Sequence, residues 1–235
     1  MRWLSDVFDL RPRRIWGAPI GEFVLTWPDP VARGLIKPGP IPIDELSVRP
    51  ALGADIDRVE RVRLADRDWL EQWEATLPPG VQEELPTLRH YRIRIAKEAV
   101  EGVTLPMMIE ADGQTIGLVT ASNTVWGALR MTTLGYWITS TYAARGITSF
   151  AVAAVIDLLI AHRGLNRVEI NIRPENEASL ALAHKLQLRR EGYKPKYMCI
   201  AGQWADHIAF AIDRDSYPQG GLVHHLWGGR SSEGA

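Results

Sequence analysis

The residues with the clearest capacity for chemistry lie in a short turn at 143–148, Ala-Ala-Arg-Gly-Ile-Thr. Apolar residues at helical spacing follow the turn, so the sequence predicts a helix over 144–163. The first N–H groups of a helix lack intrahelical partners and lie at the positive end of its dipole, so such a turn can bind an anion such as a phosphate. The side chain of Arg145 could add positive charge to the same site.

Asn176 and Ser179 form a second polar group whose spacing allows chemistry. They stand three apart at the start of a predicted helix over 176–188, so their side chains share one face. One interpretation is structural, because asparagine is a preferred N-cap residue and serine suits the first helical turn. The other is that the Ser179 hydroxyl donates a proton or a hydrogen bond to a reacting group, and both interpretations can hold together.

Candidate general bases are less sharply defined. Residues 167–173 alternate apolar and polar residues and predict a strand whose polar face carries Glu169 and Asn171. Glu169 is therefore a candidate base, and a solvated or salt-bridged strand residue is the alternative. Glu74, near the end of another predicted helix, is a further candidate, and a chain of water molecules is a third.

Composition argues against several functional classes. The chain has 235 residues, a hydrophobic fraction of 46% and a net charge of −1, so no strong field attracts nucleic acid. Its single cysteine, Cys199, cannot form an internal disulfide. We expect a cytoplasmic protein, because we find no signal peptide and no apolar run of the roughly 18–20 residues that a membrane span needs. The six histidines lack metal-ligand spacing, which predicts no metal site, while monomer and homodimer both stay open.

The order of predicted elements indicates a mixed α/β domain over 46–213, preceded by an arm at 1–45 and followed by a tail at 214–235. The arm is rich in proline and is expected to wrap the domain irregularly. Its aromatic residues are Trp3, Phe8, Trp16, Phe23 and Trp27. The predicted strands are 46–51, 104–111, 114–121, 128–139, 167–173, 190–200 and 204–212, and the predicted helices are 53–74, 82–101, 144–163 and 176–188. One strand–helix–strand step, from 128–139 to 167–173, predicts a parallel pair in a mostly antiparallel sheet.

Several longer stretches of the sequence resemble the motifs of one family. The stretch GYWITSTYAARGITSFAVAAVIDLLI, followed by VEINIRPENEASLALAHKL, is similar to the GNAT acetyltransferases, which place a Gln/Arg-x-x-Gly-x-Gly/Ala turn at this point. NIRPEN-x-ASL, VRLADRDWLEQWEATLP and LSVRP resemble the RimJ/RimL branch, and within it the RimJ-like group of actinobacteria. The likeness covers residues 46–213. Ala143 and Thr148 depart from the family turn, but neither change removes a backbone donor.

The resemblance implies the GNAT fold, a mixed and mostly antiparallel central sheet flanked by helices, with acetyl-CoA as co-substrate. In that family the turn binds the pyrophosphate of the coenzyme, and the end of the preceding strand pairs with pantetheine. The corresponding residues here are Ala144, Arg145, Gly146, Ile147 and Thr148 in the turn, and Trp137, Ile138 and Thr139 at the strand end. The N–H of Ile138 is the expected donor that polarises the thioester carbonyl, and an ordinary strand end is the alternative.

The resemblance to this branch places Ser179 near the coenzyme thiol, where it is the expected general acid that protonates the leaving thiolate, and it makes Asn176 a coenzyme-binding residue. Other members use a tyrosine one turn further along this helix, where this sequence has Ala183. Tyr197 is expected near the acceptor and is a second candidate acid.

The resemblance also implies transfer of the acetyl group to a primary amine, and the branch suggests the N-terminal α-amine of a protein, with ribosomal proteins among the candidates. The expected acceptor groove consists of Trp69, Trp73, Glu74, Asn171 and Tyr197, with core packing as the alternative for the tryptophans. An α-amine of pKa ~8 is about a tenth neutral at pH 7, so it needs no strong base, whereas a lysine of pKa ~10.4 is neutral only to about 0.04%. Two alternatives stay open: a small-amine or lysine acyltransferase that uses acetyl-CoA or succinyl-CoA, and a non-catalytic acyl-CoA-binding module.

Overall fold

A mixed eight-stranded sheet forms the centre of the structure, which is a computed structural model that describes residues 12–82 and 86–228. In the described chain the strands are β1 (Arg14–Ile15), β2 (Ala18–Pro19), β3 (Leu25–Pro28), β4 (Glu45–Pro50), β5 (Leu105–Ala111), β6 (Gln114–Val125), β7 (Met131–Ile138), β8 (Arg167–Ile172), β9 (Arg189–Ile200) and β10 (Gln203–Asp213). β1 and β2 form a separate hairpin, and the sheet order is β3-β4-β5-β6-β7-β8-β10-β9. β7 and β8 are parallel and the other described pairs are antiparallel, so the predicted mixed sheet is confirmed.

Helices pack against this sheet. The described helices are α1 (Asp55–Ala65), α2 (Arg67–Leu70), α3 (Leu88–Glu101), α4 (Ile147–Asp157), α5 (Glu177–Lys185) and α6 (Leu222–Trp227). α4 is the most apolar of them, because every residue from 149 to 156 is buried, and it continues into a π-helical turn, Leu158–His162. No helix in the described parts of the chain is long and apolar enough to cross a membrane.

The parallel strands β7 and β8 pair over only part of their length. Their register runs from Met131 opposite Arg167 to Thr133 opposite Glu169 and then stops, although β7 continues to Ile138. Beyond that point the two strands separate, and a gap opens in the sheet between them.

The predicted arm is more regular than its proline content suggested. β3 pairs antiparallel with β4 and forms an edge of the sheet, where Pro28 is tolerated because an edge residue need not donate to a neighbour. Trp16 and Phe23 are buried, and the Trp27 ring lies 4.8 Å from the ring of Phe150 in α4. Trp3 and Phe8 lie outside the described residues.

Two predicted helices are shorter than expected. The helix predicted over 53–74 breaks at Asp66, whose backbone leaves the helical region (φ −113°, ψ 29°). Its carboxylate instead accepts a hydrogen bond from the Ser140 hydroxyl at 2.8 Å, an example of a short polar side chain competing with the helix. The helix predicted from 82 begins at Leu88, after Pro86, with Thr87 as its N-cap.

The tail docks on the body of the domain through α6. Trp227 is 2% exposed, and its ring meets the Phe150 ring edge-on at 5.3 Å. Asp157, at the end of α4, accepts hydrogen bonds from the N–H groups of Leu222 at 2.7 Å and Val223 at 3.0 Å. The carboxylate therefore caps the start of α6 and fixes the tail beside α4.

Candidate active site

A cleft of about 1070 Å³ opens where β7 and β8 separate. Its lining includes the turn before α4, the end of β7, the start of α5, the segment from Trp69 to Ala75, one face of α1 and Lys37. Its volume lies at the upper end of the range for small-molecule and cofactor sites. Of the predicted site residues, the cleft is lined by Trp69, Trp73, Glu74, Trp137, Ile138, Ala144, Gly146, Ile147, Thr148, Asn176 and Ser179.

The turn before α4 leaves a series of backbone N–H groups unpaired. The N–H of Phe150 donates to the Gly146 carbonyl oxygen at 3.1 Å, but the N–H groups from Ala144 to Ser149 have no acceptor within the described chain. Gly146 is the N-cap of α4 and has φ of 80°, a left-handed conformation that glycine adopts without strain. These unpaired donors lie at the positive end of α4, which is the arrangement that an anion needs.

The guanidinium of Arg145 does not face this cleft. It is buried, and it donates from Nε to the Lys37 carbonyl at 3.2 Å and from Nη1 to the Ile41 carbonyl at 2.9 Å. The prediction that its charge meets the coenzyme phosphates is therefore wrong, although its backbone N–H stays part of the turn. The cations that line the cleft beside the turn are Lys37 and Lys185, and Lys185 Nζ lies 3.6 Å from the place of a Cβ on Gly146.

The end of β7 turns one edge of its backbone toward the gap. The N–H of Thr139 donates to the Ile116 carbonyl at 2.9 Å, away from the cleft. Because bonded and non-bonded pairs alternate along an antiparallel ladder, Ile138 opposite Gly117 is a non-bonded pair. Its N–H and C=O therefore face the gap beside β8, and the C=O accepts a hydrogen bond from Trp69 Nε1 at 3.1 Å. The geometry suits the expected donor role of the Ile138 N–H.

Asn176 and Ser179 share the start of α5, as predicted. The Asn176 side-chain oxygen accepts a hydrogen bond from the Ser179 N–H at 3.0 Å, which is the N-cap interpretation. This bond uses the backbone of Ser179 and leaves its hydroxyl free for another role. The capping and chemical interpretations are thus compatible in the structure.

Tyr136 is a residue of the cleft that sequence reasoning missed. Its phenol oxygen is buried and has no hydrogen bond of standard geometry in the described chain. Burial raises the pKa of Tyr136 to about 12, and an interaction with the Ser179 hydroxyl opposes that shift. The phenol therefore stays protonated near pH 7, beside the hydroxyl expected to act on the thiol. One signal could have identified it: Tyr136 stands two residues before Ile138, so their side chains share one side of the strand.

A further wall of the cleft carries aromatic rings and paired carboxylates. Trp69 and Trp73 line it, and Glu74 accepts a hydrogen bond from Arg63 Nη1 at 2.5 Å. Arg63 also binds Glu60 at 2.6 Å, and Glu60 lines the same wall. Two carboxylates around one guanidinium leave a negative balance, which suits a cationic group in the acceptor. Of the candidate bases, only Glu74 lies in this cleft.

Besides Thr139 and Arg145, three predicted site residues are absent from the cleft lining, and these three lie on the neighbouring strands. Asn171 donates to Glu169 at 3.0 Å, and Tyr197 stands near both on β9 with the Lys194 ammonium 4.6 Å from its ring. Burial alone would raise the pKa of Glu169, but hydrogen bonds from Lys194, Asn171 and Arg167 outweigh it and hold that pKa below its ordinary value. The structure thus favours the salt-bridged interpretation of Glu169, and it does not bring Glu169, Asn171 or Tyr197 to the cleft. Within the described ranges, no three His, Cys, Asp or Glu side chains are grouped to hold a metal ion.

Comparison with known proteins identifies the kind of site. Residues 45–189 match the family model described as the acetyltransferase (GNAT) domain. The [ribosomal protein uS5]-alanine N-acetyltransferase of Escherichia coli strain K12 is 26% identical over 183 residues, covering 75% of this chain and 92% of that protein. The probable N-acetyltransferase YjcK of Bacillus subtilis strain 168 is 27% identical over 168 residues, covering 70% and 92%. The structure of Mycobacterium smegmatis RimJ in complex with CoA-disulfide aligns at a TM-score of 0.71 and 32% identity, covering 83% of this chain and 93% of that one.

These matches identify the open sheet and the unpaired helix start as the site of an acyl-CoA-dependent transferase. The chain belongs to the GNAT family and is an acetyl-CoA-dependent N-acetyltransferase with RimJ/RimL relatives. The predicted family, fold, enzyme class and co-substrate are confirmed.

Proposed function

We propose that this enzyme acetylates the N-terminal α-amine of a protein, with a ribosomal protein as the expected acceptor. The observation that carries the proposal is the wall formed by Glu60, Arg63 and Glu74, whose negative balance suits the cationic start of a polypeptide. The neighbouring rings of Trp69 and Trp73 offer apolar surface for the first side chains of that polypeptide. The relative from Escherichia coli, whose name specifies an alanine of ribosomal protein uS5, supports the same acceptor class.

In the proposed reaction, acetyl-CoA supplies the activated acetyl group. The N–H groups of the turn at 144–149 hold its pyrophosphate, and the Ile138 N–H stabilises the negative charge that develops on the acetyl oxygen. Ser179 donates to the departing sulfur. The acceptor nitrogen loses one proton and the sulfur gains one, so the balance needs no further reactant. Glu74 is the proposed acceptor of the amine proton, directly or through water, because it lies in the cleft and Glu169 does not.

An α-amine also depends less than a lysine side chain on a general base that removes its proton. At pH 7 its neutral fraction exceeds that of a lysine side chain by a factor on the order of 300, from pKa values of ~8 and ~10.4. Because an α-amine is already partly neutral, its reaction depends less than that of a lysine on proton removal by the Glu74 carboxylate, which Arg63 binds.

The test uses two matched peptide sets and acetyl-CoA. We expect acetylation of peptides with a free N-terminal Ala or Ser, and none of the same peptides when their N-terminus is blocked and an internal lysine is the only amine. Mass spectrometry locates the added acetyl group. Turnover of only the lysine peptides or of polyamines would overturn the proposal in favour of the small-amine or lysine alternative.

Coenzyme binding is tested separately by a thermal-shift titration. At acetyl-CoA near 100 times its dissociation constant the fold should gain about 2.7 kcal/mol. Titration with succinyl-CoA in parallel reports acyl preference. No shift at millimolar acetyl-CoA would contradict the placing of the coenzyme at Gly146.

A further inference from the structure

The segment just before the GNAT domain is held against the coenzyme turn. The N–H of Lys37 donates to the Arg145 carbonyl at 2.8 Å, and the Arg145 guanidinium donates back to the carbonyls of Lys37 and Ile41. Leu35 and Ile36 are buried and anchor the segment from the other end. The backbone from 35 to 41, which lies outside the matched domain at 45–189, is thus fixed beside the turn.

Gly39 allows this close approach. A Cβ at this position would lie 2.6 Å from Arg145 Nε and 2.9 Å from its Cζ, distances that real Cβ atoms essentially never show. Arg145 cannot easily move aside, because its guanidinium is buried and bound to two carbonyls. The segment therefore wraps around the arginine, and Arg145 acts as a structural clamp rather than as a ligand.

The segment at 35–41 presents one cationic side chain to the cleft. Lys37 lines the cleft together with Gly146, Thr148 and Lys185. Its side chain is exposed, and no carboxylate within the described residues forms an ion pair with it. Its backbone is bound on both sides, so less freedom is lost when the ammonium contacts a ligand.

We infer that Lys37 binds a phosphate group of acetyl-CoA, and that residues 35–41 form a wall of the coenzyme site that the GNAT domain itself does not supply. The inference rests on the proposed placing of the coenzyme at the turn. The coenzyme carries a pyrophosphate and a 3′-phosphate, and a lysine ammonium is a compact charge that binds such groups well. Arg145 is a positioning residue here, because it holds Lys37 and does not reach the ligand.

The first experiment measures acetyl-CoA affinity by isothermal titration calorimetry for the wild type and Lys37→Met. We expect a dissociation constant roughly tenfold higher in the variant, and a weaker dependence of affinity on salt. Lys97→Met is the control, since Lys97 is also exposed but lies on α3 and does not line the cleft, and its affinity should equal that of the wild type. A dissociation constant of Lys37→Met within twofold of the wild type would overturn the inference.

The same titration with acetyl-dephospho-CoA, which lacks the 3′-phosphate, identifies the phosphate involved. If Lys37 binds the 3′-phosphate, wild type and Lys37→Met will bind this analogue equally. If it binds the pyrophosphate, the tenfold difference will persist. A wild type that binds neither compound would instead refute the proposed coenzyme placing, so the two failures are distinguishable.

A second pair of variants tests the wall without changing a charge. Gly39→Ala should raise the dissociation constant several-fold, because its Cβ forces the segment away from Arg145. Gly21→Ala is the matched control in the same arm, since a Cβ there meets nothing within 4 Å. Melting curves without coenzyme check that both variants fold. Wild-type affinity in a folded Gly39→Ala would show that the position of the segment does not matter, against the inference.

Discussion

Replacing Ser179 with alanine separates the chemical role of this residue from its place in a helix. The Asn176 cap uses the Ser179 N–H, at 3.0 Å from the asparagine oxygen, and alanine keeps that N–H. We therefore expect the free energy of unfolding of Ser179→Ala to stay within about 0.5 kcal/mol of the wild type. Asn176→Ala removes the cap itself and should cost about 0.5–2 kcal/mol, which makes it the stability reference.

The turnover of Ser179→Ala should fall strongly, although its stability should stay close to that of the wild type. Loss of a positioned acid costs typically 10²–10⁴-fold, and water can partly replace a hydroxyl, so we expect a fall of about 10²-fold. That corresponds to about 2.7 kcal/mol of transition-state stabilisation. Coenzyme affinity should change little, because negative charge appears on the sulfur only as its bond to the acetyl carbon breaks.

The assay follows the release of free thiol with a chromogenic thiol reagent, on protein whose melting and acetyl-CoA affinity are measured in parallel. A fall in turnover with unchanged melting and unchanged affinity supports the acid role. Wild-type turnover in Ser179→Ala would refute it. A fall in affinity equal to the fall in kcat/KM would show that the hydroxyl binds the ground state instead.

Two further outcomes follow from buried polar groups. Tyr136→Phe removes a buried hydroxyl that has no standard hydrogen bond, so the melting temperature should stay the same or rise. If the phenol supports Ser179, turnover should fall about tenfold. Unchanged turnover would contradict that support. Burial lowers the pKa of His207, so as pH falls below about 6.5 the unfolded chain binds a proton that the folded chain resists, and stability declines. His207→Gln should flatten that decline in melting temperature between pH 7 and 5, and equal slopes would contradict the assignment.

Local periodicity predicted those parts of the fold that depend on one strong pattern. The apolar helix α4 and the alternation of β8 are both present in the structure, because residues 149–156 of α4 are all buried and every second residue of β8 is buried. The helix predicted over 53–74 failed at a single residue, where Asp66 binds Ser140 across 74 positions of sequence. Such a bond leaves no periodic pattern in the sequence, and Trp69 and Trp73, which follow the break, line the cleft.

The candidate site likewise contains features that local sequence predicts and features that depend on distant contacts. The turn around Gly146 could be predicted, since its function depends on backbone donors that follow from local sequence. The direction of Arg145 could not, because its acceptors are carbonyls more than a hundred residues away in a proline-rich arm. Glu169 was misplaced for a related reason: its partner Lys194 lies on β9, and only the assembled sheet brings the two together.

Two groups of charged residues in the cleft lining affect product release. Lys37 and Lys185 lie beside the turn, whereas Glu60 and Glu74 surround Arg63 on the wall proposed for the acceptor. Acetylation converts a cationic amine into a neutral amide, so the product loses its attraction to this wall at the moment it forms. The coenzyme keeps its phosphate charges and hence its attraction to the two lysines. We therefore expect the acetylated polypeptide to leave before free CoA, which product inhibition would reveal as competition between CoA and acetyl-CoA for one form of the enzyme.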